Sequence, residues 1–119
     1  MLALVSGDAV LEVRQEQRAD GLIVAARGEI DLRSSPGLRA ALLDPAAQAP
    51  LVVLDLREVT FMDSSGLRVI AEYHKRLQER EERFAVAVGG ASAVQRILEL
   101  SGLVKVLDVV DDPAERLAD

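Results

Sequence analysis

The chain contains no cysteine, which excludes thiol nucleophiles, cysteine–zinc sites and a disulfide framework. Only three residues are aromatic, Phe61, Tyr73 and Phe84, too few for a platform on which single-stranded bases could stack. Cations are the minority charge: 14 Lys and Arg face 20 Asp and Glu, for a net charge of −6. Nucleic-acid affinity rests on cations that neutralise phosphates, so no nucleic-acid partner is expected. Long apolar runs are also missing. Leu51 to Leu54 and Ala85 to Val88 fall far short of the roughly 20 residues of a membrane span, so no membrane insertion is expected. Met1 to Asp8 lacks a basic start and a long apolar stretch, so no signal peptide is expected either. A reducing, cytoplasmic setting fits these absences.

What the chain does have is apolar content. Half of its 119 residues are hydrophobic, enough for one core and one domain spanning residues 1–119. Val10 to Gln17 alternates imperfectly, Asp20-Gly21 signals a hairpin turn, and Leu22 to Gly28 resumes as a second strand. Ser35-Pro36 predicts a serine cap with proline at the first helical position, and Leu38 and Leu42 continue a helix towards a loop bracketed by Pro45 and Pro50. Leu51 to Leu56 is apolar on both faces, as a buried strand of a parallel sheet should be. The next helix carries Leu67, Ile70, His74 and Leu77 on one stripe, and Glu79 to Arg83 marks its solvated end. Phe84 to Val88 is a further strand, and Ser92 with Gln95 opens a helix that Ser101-Gly102 stops. Val104 to Val110 is expected as a last strand, with a short helix after Asp112-Pro113. The order is β-β-α-β-α-β-α-β-α, which predicts an α/β domain: a mixed central sheet of four to five strands with helices packed on it.

The most telling segment is Phe61-Met62-Asp63-Ser64-Ser65-Gly66-Leu67, where a strand turns into a helix. Asp63 or Ser64 alone would cap that helix. A second hydroxyl, Ser65, is surplus to capping, and Gly66 costs a helix about 1 kcal/mol relative to alanine. Small residues keep the approach to Ser65 open, which suits a site of covalent modification as well as a cap. Three other features carry less. His74 shares a helix with Ser65 but lies nine residues on, roughly 13 Å at ~1.5 Å per residue, and no Gly-x-Ser-x-Gly elbow surrounds the serine. A serine hydrolase is therefore disfavoured. Gly89-Gly90 has the outline of a phosphate cradle without the full glycine fingerprint or a lysine, and a tight turn accounts for it. Asp108, Asp111 and Asp112 cluster without His or Cys, and Asp112 serves as a cap before Pro113, so a metal site has little support.

Three segments, Gly28-Glu29-Ile30-Asp31, Thr60 to Leu67 and Leu100-Ser101-Gly102-Leu103, resemble those of the STAS domain, named for sulphate transporters and anti-sigma factor antagonists. The likeness covers nearly the whole chain and is nearest to the free-standing bacterial anti-sigma factor antagonists. It implies a protein that is not an enzyme, needs no cofactor and regulates transcription by partner switching. The unmodified form would bind an anti-sigma factor that is itself an ATP-dependent serine kinase. Phosphorylation would release it, and a PP2C-type phosphatase would reverse the change. Carried onto this chain, the resemblance makes Ser65 the phosphoacceptor, with Ser64 a second candidate, and places partner contacts at Asp31, Met62, Asp63, Ser64, Gly66, Leu67 and Arg68. Arg68 departs from the small or apolar residue of many relatives; it would either pair with a phosphate or hold an acidic partner. The chain is expected as a monomer or weak dimer. Two readings keep the fold and change the role: a constitutively bound accessory subunit of a lipid-transport ATPase, or, with little room for a further domain, a stressosome component.

Overall fold

The computed structural model describes the backbone of residues 2–4 and the whole of residues 10–44, 47–90 and 92–117. Six strands form one sheet in chain order: β1 (Leu2–Leu4), β2 (Leu11–Arg18), β3 (Gly21–Ile30), β4 (Leu51–Met62), β5 (Arg83–Ala87) and β6 (Asp108–Val110). The first three pair antiparallel and the last four parallel, so the sheet is mixed as expected. Its sixth strand, β1, was not anticipated. Three helices follow the parallel strands: α1 (Ser35–Leu43), α2 (Ser64–Glu79) and α3 (Ala93–Ser101).

Alternation along the strands divides the core in two. Leu11, Val13, Leu22, Val24, Val52, Leu54 and Val86 meet the helix residues Leu38, Leu42, Ile70, Leu77, Val94 and Leu98 in the larger cluster. Ile23, Leu51, Val53, Ala85, Ala87 and Val110 form a smaller one, closed by Leu117. β4 is thus buried on both sides, as its apolar run implies. The C-terminal segment is clipped over the second face by charge: Arg116 holds Asp108 through two hydrogen bonds of 2.8 Å, and Arg57 bridges Asp55 at 3.0 Å and Asp112 at 3.5 Å.

Several boundaries differ from the expectation. The hairpin turn is Ala19-Asp20, and Gly21 already belongs to β3, paired with Arg18. β4 continues six residues beyond Leu56 because two register shifts against β3 place extra residues in it. After the continuously buried run Leu51 to Leu54, the bulged half of the strand buries Leu56, Val59 and Met62, a spacing of three that hides it from a period-two reading. Gly28 sits at the second shift with φ +115°, where a side chain would strike the carbonyl oxygen of Val10. The cap of α1 is Ser34 rather than Ser35, since Ser34 is drawn into the Asp31 turn. The last strand shrinks to Asp108–Val110, because Leu103–Lys105 coils into a 3-10 turn after the left-handed Gly102. The terminal helix is one 3-10 turn, Pro113–Glu115, with a complete capping box between Asp112 and Glu115. On α2 the buried stripe is Gly66, Val69, Ile70, Tyr73 and Leu77, with Leu67 and His74 half-buried beside it. Tyr73 meets Phe84 edge-on at 5.0 Å, and burial pushes its phenol up to about 12. Pro45 and Val5 to Asp8 lie outside the described residues.

Candidate functional site

β3 and β4 run parallel and in register at their ends, with Ile30 opposite Met62, so the loops that follow them leave the sheet side by side. The Asp63 amide donates to the Ile30 carbonyl at 3.1 Å and ties the two loops together. Asp31 and Asp63 therefore stand next to each other at the C-terminal rim of the parallel strands, the usual place for sites in open α/β sheets.

Each carboxylate organises its own turn. Asp31 accepts the amides of Arg33 and Ser34 at 3.0 and 2.9 Å, while the Ser34 hydroxyl accepts the Asp31 amide at 3.0 Å and donates to the Glu29 carbonyl at 2.8 Å. Ser34 is buried, so this closed turn fixes the loop from beneath. The backbone bond from Ser34, together with the Arg33 amide, lowers the Asp31 carboxyl from its ordinary value, while desolvation opposes them. Asp63 is the cap of α2. One of its oxygens, Oδ1, accepts both the Ser65 amide at 2.8 Å and the Ser65 hydroxyl at 2.5 Å. The hydroxyl bond above all, then the amides of Ser65 and Gly66, lowers the Asp63 carboxyl, while desolvation and the facing charge of Asp31 oppose them.

Gly66 explains how the first turn of α2 seats so closely on the strand ends. A Cβ there would lie 2.5 Å from Met62 Cγ and 2.8 Å from Ile30 Cγ2, so only glycine fits without moving both side chains. Met62 and Gly66 are buried by this contact, and that corrects the expectation for two residues: they shape the rim from below and offer no side-chain surface to a partner. Ser64 and Arg68 are exposed one helical turn apart, and Arg68 forms no ion pair among the described residues. Ser65, Asp63, Asp31 and Leu67 are partly exposed. The structure thus brings Asp31, Asp63, Ser64 and Ser65 together on one rim. His74 is elsewhere, packed beside Phe84 at a ring separation of 6.5 Å.

Two residues on this rim were not singled out for contact. Leu32, directly after Asp31, is 80 % exposed, and Phe61, two residues before Asp63 and paired with Glu29, is 47 % exposed. An apolar side chain beside a charged turn was the available signal. Both flank the carboxylate pair, where a purely structural account gives them nothing to cover.

The STAS domain profile matches residues 11–115. The chain belongs to the STAS domain family. This STAS chain is 33 % identical over 112 residues to an anti-sigma F factor antagonist of Paenibacillus polymyxa, covering 92 % of this chain and 94 % of that one. A solved anti-sigma factor antagonist from Mycobacterium paratuberculosis superposes with a TM-score of 0.80 at 28 % identity, over 94 % of each chain. The anti-sigma factor antagonist SpoIIAA in its unphosphorylated form shares the fold, with a TM-score of 0.67 at 18 % identity over 82 % of this chain and 87 % of that one. The match spans both rim loops and the sheet that carries them. No helix among the described residues is long and apolar enough to cross a membrane.

Proposed function

We propose that this STAS chain is an anti-sigma factor antagonist: unmodified, it binds an anti-sigma factor that is also a serine kinase, and phosphorylation of Ser65 releases it. The observation that carries the reading is the hydroxyl of the partly exposed Ser65, held on the rim by Asp63 Oδ1 at 2.5 Å. The names of its relatives support it, as does a structural neighbour described in an unphosphorylated form.

In the transfer, the Ser65 oxygen would form a bond to the terminal phosphorus of a nucleoside triphosphate held by the kinase. The bond from that phosphorus to the leaving diphosphate oxygen breaks, and the hydroxyl proton departs with the Asp63 carboxylate as its nearest acceptor. ATP and Mg²⁺ belong to the kinase, and a PP2C-type phosphatase would restore the hydroxyl. The phosphate adds about −1.5 to −2 charges to a rim that already holds Asp31 and Asp63. Repulsion and bulk at the interface then separate the partners, while helix α2 itself tolerates an anion at its N-terminus. The contact surface comprises Asp31, Ser64, Leu67 and Arg68, with Leu32 and Phe61 as apolar anchors.

The test is a binding titration with the cognate anti-sigma factor, with mass spectrometry after incubation with Mg²⁺ and ATP. Phosphate should appear on Ser65, Ser65→Ala should bind without being modified, and Ser65→Asp should lose at least tenfold in affinity. If Ser65→Asp binds as tightly as the parent chain, the switch is not a charge at residue 65, and a constitutive complex such as a lipid-transport ATPase subunit is the better description.

A further inference from the structure

The first turn of α2 has an internal consequence for the switch. Asp63 Oδ1 accepts two hydrogen bonds, and both donors belong to Ser65: its amide and its hydroxyl. Once the hydroxyl is esterified its proton is gone. The 2.5 Å contact that was donor to acceptor becomes contact between an ester oxygen and a carboxylate oxygen, neither with a hydrogen to share. A phosphate of about −1.5 to −2 charges then hangs from the same atom. The helix end offers only about half a positive charge, too little to hold a carboxylate and a phosphate together.

Asp63 also has no free retreat. On one side stands Asp31, whose charge already opposes it. Asp31 cannot yield easily, because its Oδ1 is fixed by the Arg33 and Ser34 amides and Ser34 is anchored to Glu29. Beneath the turn lie the buried Met62 and Ile30. Solvent is the remaining direction.

We propose that Asp63 is the positioning residue of the switch, and that phosphate on Ser65 evicts the Asp63 carboxylate from the first turn of α2 and replaces it as the cap. The unmodified chain presents a neutral hydroxyl with its carboxylate tucked in. The modified chain presents a phosphate and, beside it, a carboxylate turned outward. One covalent event thereby alters two positions of the rim. The proposal deepens the reading of Ser65 as phosphoacceptor, but its test needs neither kinase nor partner.

Phosphoserine is installed at position 65 during synthesis by an expanded genetic code, and melting temperatures are compared in a cycle with Asp63→Ala. In the unmodified chain Asp63→Ala removes the cap and should lower the melting temperature by about 8 °C. In the phosphoserine chain the same substitution should cost nothing or raise it, because the residue removed no longer caps. An equal loss in both forms would overturn the proposal, since Asp63 would then keep its place beside the phosphate. Should Asp63→Ala fail to fold, Asp63→Asn serves. It retains a neutral acceptor, so it should stabilise the phosphoserine chain and destabilise the unmodified one; destabilisation of both would equally refute the exchange. Amide spectra add a second readout. The residue-65 N–H should move downfield as the phosphate takes its second negative charge in the phosphoserine chain that retains Asp63, and a stationary signal counts against a phosphate cap. Success here with no phosphate found on Ser65 in cells would sink the switch but not the geometry. Failure here would leave the partner-binding surface untouched.

Discussion

Two turns in this molecule solve the same problem with different means. β4 hands over to α2 through Asp63, Ser64 and Ser65, and β5 hands over to α3 through Gly89, Gly90 and Ser92. Both helices leave the C-terminal ends of parallel strands, and both need a side chain for their free amides. At α3 the Ser92 hydroxyl accepts the Gln95 amide at 3.1 Å, and no further side chain bonds to that hydroxyl among the described residues. At α2 a carboxylate does the capping and also holds a hydroxyl that the helix does not require. The glycines differ in the same way. A Cβ on Gly89 or Gly90 would meet nothing within 4 Å, whereas one on Gly66 would run into Met62 and Ile30. The α3 turn is a cap and a bend. The α2 turn is packed to hold a hydroxyl in one place.

The largest test of this contrast is steric. Gly66→Val should destabilise the fold by about 2–3 kcal/mol through overpacking against Met62 and Ile30, read by urea unfolding. Gly89→Ala should stay within about 0.5 kcal/mol of the parent. A small loss at Gly66 would mean that the first turn of α2 is not seated on the strand ends. Next come the caps. Asp63→Ala should cost about 2 kcal/mol, since two donors of Ser65 lose a charged acceptor, and Ser92→Ala about 1 kcal/mol. Equal costs would remove the distinction between the turns.

The smallest effect sharpens the comparison by pH. The folded Asp63 carboxyl lies below its ordinary value of 3.8, chiefly because of the Ser65 hydroxyl. A depressed carboxyl stabilises the fold fully above its unfolded value and loses that contribution as pH falls through the folded one. The stability gap between the parent and Asp63→Ala should therefore hold at neutral pH and narrow below 3.8. The gap between the parent and Ser92→Ala should not change over the same range, because a serine cap does not titrate there. A constant gap for Asp63 would show that its charge plays no part in the cap.

Much of the site was legible in the chain because it is local. Asp63, Ser64, Ser65 and Gly66 are consecutive, and a surplus hydroxyl beside a helix-breaking glycine shows in the order of residues alone. Met62, a contact by resemblance alone, is buried because two bulges carry β4 past Leu56 and set its buried positions three residues apart. Ser35 reads as the cap of α1 because serine followed by proline is the local signal. The choice of Ser34 depends on hydrogen bonds to Glu29 and Asp31, five and three residues away. Leu32 and Phe61 carried no periodic signal, since their meaning comes from exposure on a shared rim.

By itself, the sequence determined an α/β fold with a capped, hydroxyl-bearing turn after its central strand, because composition, periodicity and capping act over a few neighbouring residues. Only the tertiary structure decided which face of that turn is open and what stands beside it. Asp31 reaches Asp63 across thirty-two positions of chain because β3 and β4 end in register, and Gly66 is required because Ile30, from another strand, fills the space beneath it. Such relations depend on how strands pair and pack, and no stretch of neighbouring residues encodes them.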